Sequence, residues 1–198
     1  MATETELKLR VPSHEPIRAQ LRAVGAEYLS SVVETNTILD HPDGSLRKAG
    51  CGFRLRESRH ADTGEVECTL TYKGPREPGP LKVREELETL VEDAAAMRAV
   101  LQRLGYVMLL RYQKRRESWR LGECRVDLDE PARLGTFVEI EGPGEPAIRG
   151  VQNLLQLTSA KVVVRSYVAL VEAYCVEHGV LERELRLADE APSSPPAV

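Results

Sequence analysis

The sequence lacks the features typical of a secreted, disulfide-stabilised or membrane-spanning protein. Its four cysteines are scattered and form no C-x-x-C pair, so the thiols indicate neither a disulfide framework nor a zinc site. No apolar run approaches the length needed to cross a bilayer, and no apolar segment precedes the first charged alternation. We therefore expect a cytoplasmic protein with reduced thiols and no membrane partner.

Basic charge is not in excess either, because the formal net charge is -4 and the pI is near 5.7. An acidic protein does not attract nucleic acid in general unless its bases are locally concentrated. Motifs of several common enzyme classes are also missing. The sequence contains no G-x-x-x-x-G-K-[ST] loop and no serine nucleophile elbow, and its four histidines lack zinc-ligand spacing.

The chain instead contains many strand-like segments with one apolar side and one charged side. Residues two apart in a strand share a face, so Glu4, Glu6, Lys8 and Arg10 lie together, opposite apolar residues such as Leu7. The same sorting groups Arg54 with Arg56, Thr71 with Lys73, Arg84 with Glu86, Lys114 with Arg116, Arg125 with Asp127 and Asp129, and Glu139 with Glu141.

Apolar residues at helical spacing predict helices between these strands. The helical segments are "HEPIRAQLRAVGAEY", "VEDAAAMRAVLQRLGY", "EPAIRGVQNLLQLT" and "SYVALVEAYCVEHG", and the strand after the first of them is predicted to begin at Thr35. We expect one domain over residues 1–180 and a partly disordered tail over residues 181–198, which ends in "DEAPSSPPAV".

Two arrangements explain the charged faces. In an open antiparallel sheet they would simply meet water. In a closed barrel with its apolar side outward under the helices, they would line the lumen. Ions buried without water are costly, so a charged lumen requires water or a ligand. Lys and Arg suit a polyphosphate, and paired carboxylates suit Mg²⁺ or Mn²⁺.

The charged motifs, taken in order, resemble those of the CYTH superfamily, the triphosphate tunnel metalloenzymes. Glu4-x-Glu6-x-Lys8 is similar to the E-x-E-x-K signature of that family. It is followed in the family order by "FRLRE", "LTYKGP", "VREELE", "KRR", "VDLDEPARLG" and "FVEIEG". The resemblance covers residues 4 to about 175. It implies an α+β fold, with an eight-stranded antiparallel β-barrel, a charged lumen and flanking α-helices.

The resemblance also implies roles for individual residues. The metal-ligand candidates, for Mg²⁺ or Mn²⁺, are Glu4, Glu6, Asp127, Glu139 and Glu141. The phosphate-binding candidates are Lys8, Arg54, Arg56, Lys73, Arg84, Lys114 and Arg116, together with either Lys161 or Arg165 as the closing base. The candidates for direct participation in the reaction are Lys8, Asp127 and Glu86.

Four functions are compatible with this resemblance. Metal-dependent hydrolysis of inorganic tripolyphosphate or a nucleoside triphosphate is favoured, and adenylyl cyclase is the alternative because both reactions use the same phosphate and metal contacts. Thiamine triphosphatase is less favoured, because Gly52 stands where the animal enzymes have an aromatic residue. A non-catalytic binder of polyphosphate or of an RNA 5′-triphosphate end would not need the metal carboxylates. A homodimer is compatible with what is known of relatives.

Overall fold

The computed structural model describes the backbone of residues 2–75 and 82–188 and the side chains of residues 5–75 and 83–188. The strands in this part of the chain are β1 (Ala2–Val11), β2 (Glu27–Asp40), β3 (Gly52–His60), β4 (Val66–Lys73), β5 (Lys82–Leu90), β6 (Val107–Leu121), β7 (Cys124–Pro131), β8 (Thr136–Glu141), β9 (Lys161–Val162) and β10 (Glu184–Leu185). The helices are α1 (Glu15–Ala23), α2 (Ser45–Lys48), α3 (Ala94–Arg103), α4 (Glu145–Leu154) and α5 (Tyr167–His178).

Strands β1 to β8 close into an antiparallel barrel. Their order is β2-β3-β4-β5-β1-β8-β7-β6, and the ring closes because β6 pairs with both β7 and β2. The short strands β9 and β10 add to the outside of this ring, β9 on β1 and β10 on β6. The predicted fold class, an eight-stranded antiparallel barrel with flanking helices, is confirmed.

The strand register brings the charged positions of neighbouring strands onto one face. Lys8 of β1 lies opposite Glu139 of β8, which in turn lies opposite Asp127 of β7. The intervening apolar positions point outward and are covered by α1 and α4. This outer core contains Leu7, Leu9, Val126, Val138 and Ile140 of the barrel with Ile17, Leu21, Ile148 and Val151 of the helices. The alternation predicted from the sequence therefore directs the charges inward.

Helix α5 lies against one end of the lumen. Phe137 shares the face of Glu139 on β8, and its ring meets that of Tyr167 edge to face, with the centroids 5.4 Å apart. Tyr167 follows Ser166, whose hydroxyl accepts a hydrogen bond from Ala169 N and caps the helix. The end of the barrel is thus closed in part by apolar packing and in part by the first turn of α5.

Two boundaries differ from the predictions. Helix α1 ends at Ala23, before Gly25 at φ 74°, and β2 begins at Glu27 rather than at Thr35. At the other end of the domain, Leu185 and Leu187 belong to the start of the predicted tail but are buried against β6 and α5. Residues 189–198 of that tail lie outside the described part of the chain. No helix within the described ranges is long and apolar enough to cross a membrane.

Substituting Gly142, at the junction of β8 and α4, is expected to destabilise the fold. A Cβ at Gly142 would lie 2.6 Å from Cys124 Sγ and 3.3 Å from Ile148 Cγ1. Gly142→Ala should therefore lower the free energy of unfolding by about 1–3 kcal/mol in urea titrations, as other overpacking changes do. Gly150→Ala is the matched control, because nothing lies within 4 Å of a Cβ at this position in α4. The control should be neutral or stabilise by up to ~1 kcal/mol. Equal stability of the two variants would contradict the packing described.

Candidate functional site

A cavity of about 420 Å³ lies inside the barrel, and residues of α2 and of the first turns of α5 contribute to its lining. Seven of the nine predicted phosphate-binding residues line it, namely Lys8, Arg54, Arg56, Lys73, Arg84, Lys114 and Arg116. The volume lies within the range of small-molecule sites, roughly 300–1,000 Å³. The barrel therefore contains a cavity of ligand size with a strongly cationic wall.

The two candidates for the closing base do not line this cavity. The side chain of Lys161 is exposed, in the short strand β9 opposite Arg10. Arg165 is also exposed, and its Nη2 donates to the carbonyl oxygen of Ala169 at 2.6 Å. The backbone carbonyl of Arg165 instead accepts a hydrogen bond from Lys8 Nζ at 3.4 Å. Neither side chain is brought to the other predicted phosphate contacts.

Arg54 and Arg56 form the part of the wall that retains unused donors. Arg54 Nη2 donates to Thr71 Oγ1 at 3.3 Å, and Arg56 Nη1 donates to Glu34 Oε1 at the same distance. The Nε atoms of both arginines are buried, and neither has a hydrogen-bond partner within the described residues. Burial, followed by the charge of Arg56, lowers the pKa of Arg54. These two side chains can donate to an anion in the cavity.

Lys73, Arg84 and Glu86 lie next to this arginine pair. Lys73 Nζ is 2.7 Å from Glu86 Oε2, and Arg84 donates twice to the carbonyl oxygen of Gly74, at 3.0 and 3.1 Å. Glu86 Oε1 is 4.0 Å from Arg54 Nη2. Glu86, a predicted participant in the reaction, therefore serves in this structure as the counter-ion of the cationic wall.

Arg116 contacts a group of carboxylates on the opposite side of the lumen. Its Nε donates to Asp129 Oδ1 at 2.7 Å, and its Nη2 donates at 2.6 Å to both Asp129 Oδ2 and Glu139 Oε2. Its Nη1 is 2.8 Å from Asp127 Oδ2. Burial would lower the pKa of Arg116, but Asp127, Asp129 and Glu34 outweigh it and raise that pKa well above the usual value. The guanidinium is held as a cation by these acids.

Glu34 is the buried acid between the two groups of cations. Its Oε2 is 3.4 Å from Lys114 Nζ and also accepts from Asn36 Nδ2 at 3.2 Å. Burial would raise the pKa of Glu34, but the charges of Arg56, Lys114 and Arg116 outweigh it and hold the pKa well below 4.5. Glu34 is therefore an ionised carboxylate inside the barrel, and it partly neutralises the cations.

The predicted metal ligands lie on three adjacent strands. Glu6 of β1 is opposite Glu141 of β8, and Asp127 of β7 is opposite Glu139 of β8. Glu6 and Glu139 line the cavity, whereas Glu141 is exposed and lines a second, open depression of about 320 Å³ at the other end of the barrel. The side chain of Glu4 lies outside the described part of the chain.

The sequence and the fold both match a known family. Residues 2–167 match the family described as the CYTH domain. This chain belongs to the CYTH family. Members of the triphosphate tunnel group within this family are metalloenzymes, and family membership therefore implies dependence on a divalent metal.

Two archaeal proteins are similar to this CYTH protein. A Methanocaldococcus jannaschii protein named "Putative adenylate cyclase MJ0240" is 25% identical over 138 residues, which is 70% of this chain and 75% of that protein. The structure of the PH1819 protein from Pyrococcus horikoshii covers 86% of this chain and 99% of its own, at 27% identity and a TM-score of 0.75.

A plant structure shares the fold at lower identity. It is HpAC1 from Hippeastrum, described as an adenylyl cyclase candidate with a dominant triphosphatase activity. The likeness has 20% identity and a TM-score of 0.63, and covers 88% of this chain and 96% of that chain. At this identity the likeness bears on the fold alone.

The donor chemistry of this CYTH barrel fits a divalent cation. The candidate ligands are all carboxylates, which are the ligands that Mg²⁺ and Mn²⁺ prefer. Among the residues whose side chains are described, however, no three Asp, Glu, His or Cys groups are arranged to hold a metal. Both oxygens of Glu139 face cations, Oε1 toward Lys8 at 3.1 Å and Oε2 toward Arg116 at 2.6 Å. A metal at Glu139 therefore requires these cations to move.

Three lumen residues of this CYTH protein were not predicted to have a role. Glu34 lies in "SSVVE", which carries no clear alternation, and Asp129 was grouped with Asp127 without a function. Tyr167 was expected in a helix core, but Lys8 Nζ is 3.6 Å from its ring centroid and Lys114 Nζ is 5.1 Å from it. Burial, Asp129 and Glu139 raise the pKa of Tyr167, so the phenol stays neutral.

Removing the charge of Glu34 is expected to destabilise the protein in a pH-dependent way. Glu34→Gln leaves Lys114 and its neighbouring arginines buried with one acid fewer, and breaking such a buried pair costs about 3–5 kcal/mol. Because the folded-state pKa of Glu34 is below its usual 4.5, its contribution is present above that pH and is lost as the pH falls further. Urea unfolding is measured at pH 7 and at several pH values below 4.5. The difference in free energy of unfolding between Glu34→Gln and the wild type should become smaller as the pH falls.

The exposed pair of Glu27 and Arg120 provides the control for this prediction. Glu27→Gln removes an acid whose Oε1 is 3.0 Å from Arg120 Nη2, in a pair whose two side chains are both more than half exposed. This variant should change the free energy of unfolding by less than about 1 kcal/mol at any pH. If Glu34→Gln is as mild as Glu27→Gln at pH 7, then Glu34 does not neutralise the lumen cations as described.

Proposed function

We propose that this CYTH protein is a divalent-metal-dependent triphosphatase that hydrolyses a linear triphosphate, either inorganic tripolyphosphate or a nucleoside triphosphate. The observation that carries the proposal is the cationic cavity, which seven of the nine predicted phosphate-binding residues line. Guanidinium and ammonium groups gathered around one cavity suit a phosphate chain, which supplies several oxygens with negative charge.

The arginines and the lysines of the cavity would bind the phosphate chain in different ways. Arg54 and Arg56 offer planar groups that can bind two phosphate oxygens at once, whereas Lys8, Lys73 and Lys114 act as point charges. Charges fixed before the reaction stabilise the negative charge that builds on the leaving phosphate oxygen, because they need no reorientation. These contacts suit the cavity to hold a triphosphate in one defined position.

Asp127 is assigned to the orientation of the attacking water. Ser118 Oγ donates to Asp127 Oδ1 at 2.6 Å and Arg125 Nε donates to the same oxygen at 2.9 Å, so this carboxylate is fixed in place. We assign Glu4, Glu6, Asp127, Glu139 and Glu141 as the residues that would hold Mg²⁺ or Mn²⁺. When bound, the metal would neutralise phosphate charge and acidify water.

Adenylyl cyclase is the second candidate. The name of the M. jannaschii relative favours it, and cyclisation would use the same triphosphate contacts with the ribose 3′-hydroxyl as nucleophile. Which reaction occurs depends on how the organic part of the substrate is held, since the fold alone does not determine the chemistry.

The test of the proposed function is a product assay. The protein is incubated with tripolyphosphate, ATP or thiamine triphosphate, each with Mg²⁺, Mn²⁺ or EDTA. Release of phosphate from tripolyphosphate or ATP, abolished by EDTA, is the expected result. Cyclic AMP with pyrophosphate would identify the cyclase, and turnover of thiamine triphosphate alone would identify a thiamine triphosphatase. Binding of tripolyphosphate or of an RNA 5′-triphosphate end without any product would contradict the enzyme proposal.

Arg56 is expected to contribute strongly to substrate binding. Arg56→Met should raise the KM for the triphosphate by about ten- to a hundredfold, because a hydrogen bond to a charged group contributes ~1.5–3 kcal/mol. Arg56→Lys keeps the charge but loses the two-point contact, so its effect should be smaller. Arg120→Met is the matched control, since Arg120 is more than half exposed near the end of β6, does not line the cavity and pairs with Glu27. Equal KM values for Arg56→Met and Arg120→Met would contradict the assignment.

A further inference from the structure

The arginines of the lumen are in two different states. Arg54 and Arg56 have buried Nε atoms without a partner within the described residues, whereas Arg116 donates three hydrogen bonds to carboxylates and approaches a third acid, Asp127, at 2.8 Å. The Arg116 side chain is only 10% exposed, and that of Asp129 is fully buried. Arg116 is therefore already neutralised by the protein, although it was predicted to bind phosphate.

Two of the partners of Arg116 are candidate metal ligands. Asp127 uses one oxygen for Ser118 and Arg125 and the other for Arg116. Glu139 faces Arg116 with Oε2 and Lys8 with Oε1. Every oxygen of these two carboxylates is thus engaged by a donor or a cation of the chain itself.

A divalent cation and Arg116 cannot share these oxygens without cost. A metal bound at Glu139 Oε2 would lie close to the guanidinium, and two cations at that separation repel strongly where the side chains are as buried as these. If Arg116 leaves, it must find another acceptor, because an unpaired buried guanidinium is costly. The phosphate chain assigned to this cavity is such an acceptor.

We infer that Arg116, through its contacts with Glu139 and Asp127, competes with the divalent cation for these two carboxylates. This inference rests on the metal site of the proposed function and adds a role to it. While Arg116 keeps these contacts the barrel binds metal weakly, and a polyphosphate that draws Arg116 away strengthens metal binding. Coupling of this kind is reciprocal, so bound metal also strengthens the binding of polyphosphate.

The inference is tested by titrating the protein with Mn²⁺ in the absence of phosphate and measuring free Mn²⁺ by electron paramagnetic resonance. Arg116→Gln removes the competing charge and should tighten Mn²⁺ binding by about tenfold or more, as expected for a lost close repulsion. Lys114→Gln is the matched control, because Lys114 Nζ contacts Asp129 at 2.9 Å and Glu34 at 3.4 Å rather than Glu139 or Asp127. The control should tighten binding less than Arg116→Gln does, because Lys114 is not paired with either proposed metal ligand.

Arg116→Lys covers the case in which Arg116→Gln does not fold, as judged by circular dichroism. A lysine ammonium cannot contact three carboxylates in the way the guanidinium does, so an intermediate tightening is expected. Equal tightening in the Arg116 and Lys114 variants would overturn the inference in favour of a general charge effect. Unchanged or weaker Mn²⁺ binding in a folded Arg116 variant would overturn it as well. The titration involves no turnover, so its result is independent of the product assay.

Discussion

Ionised side chains inside a closed barrel must be neutralised, and the rest of this structure follows from that constraint. Closing the sheet turns its charged face inward, where an ion without a partner is costly. The antiparallel register supplies the partners, because it sets Lys8 beside Glu139 and Arg116 beside Asp129 on adjacent strands. The alternation that allows the barrel to pack under α1 and α4 therefore also assembles the site.

Neutralisation is uneven around the lumen. The carboxylates Asp127, Asp129 and Glu139 gather on β7 and β8 and surround one guanidinium. Across the cavity, Arg54 and Arg56 on β3 meet Glu34, Glu86 and Glu88 only at 3.3 to 4.0 Å, and their Nε atoms have no partner within the described residues. A closed sheet that served only stability would have its donors fully paired. Incomplete hydrogen-bond pairing of the β3 arginines is expected at a binding surface, because functional sites often depart from the rules that favour stability.

The sequence predicted those parts of the arrangement that follow from the alternation of side chains along a strand. Most of the predicted phosphate contacts line the cavity, because residues two apart must share a face whatever the register. Glu34 was missed because the predicted strand began at Thr35, and the segment "SSVVE" before it has no clear alternation of polar and apolar residues. Lys161 and Arg165 could not be placed, since the direction of the chain between β9 and α5 depends on tertiary packing. The role of Tyr167 depends on the same packing.

The two states of the lumen arginines follow from their positions in the ring. Arg56 lies on β3, between Asn36 of β2 and Thr69 of β4, and neither of these neighbours carries a charge. Arg116 lies on β6, directly opposite Asp129 of β7, within reach of three further acids. One residue type thus serves as a ready anion contact on one wall and as an internal counter-cation on the other. The role of a lumen arginine is not determined by its side chain alone, because the order of the strands determines which charged residues lie next to it.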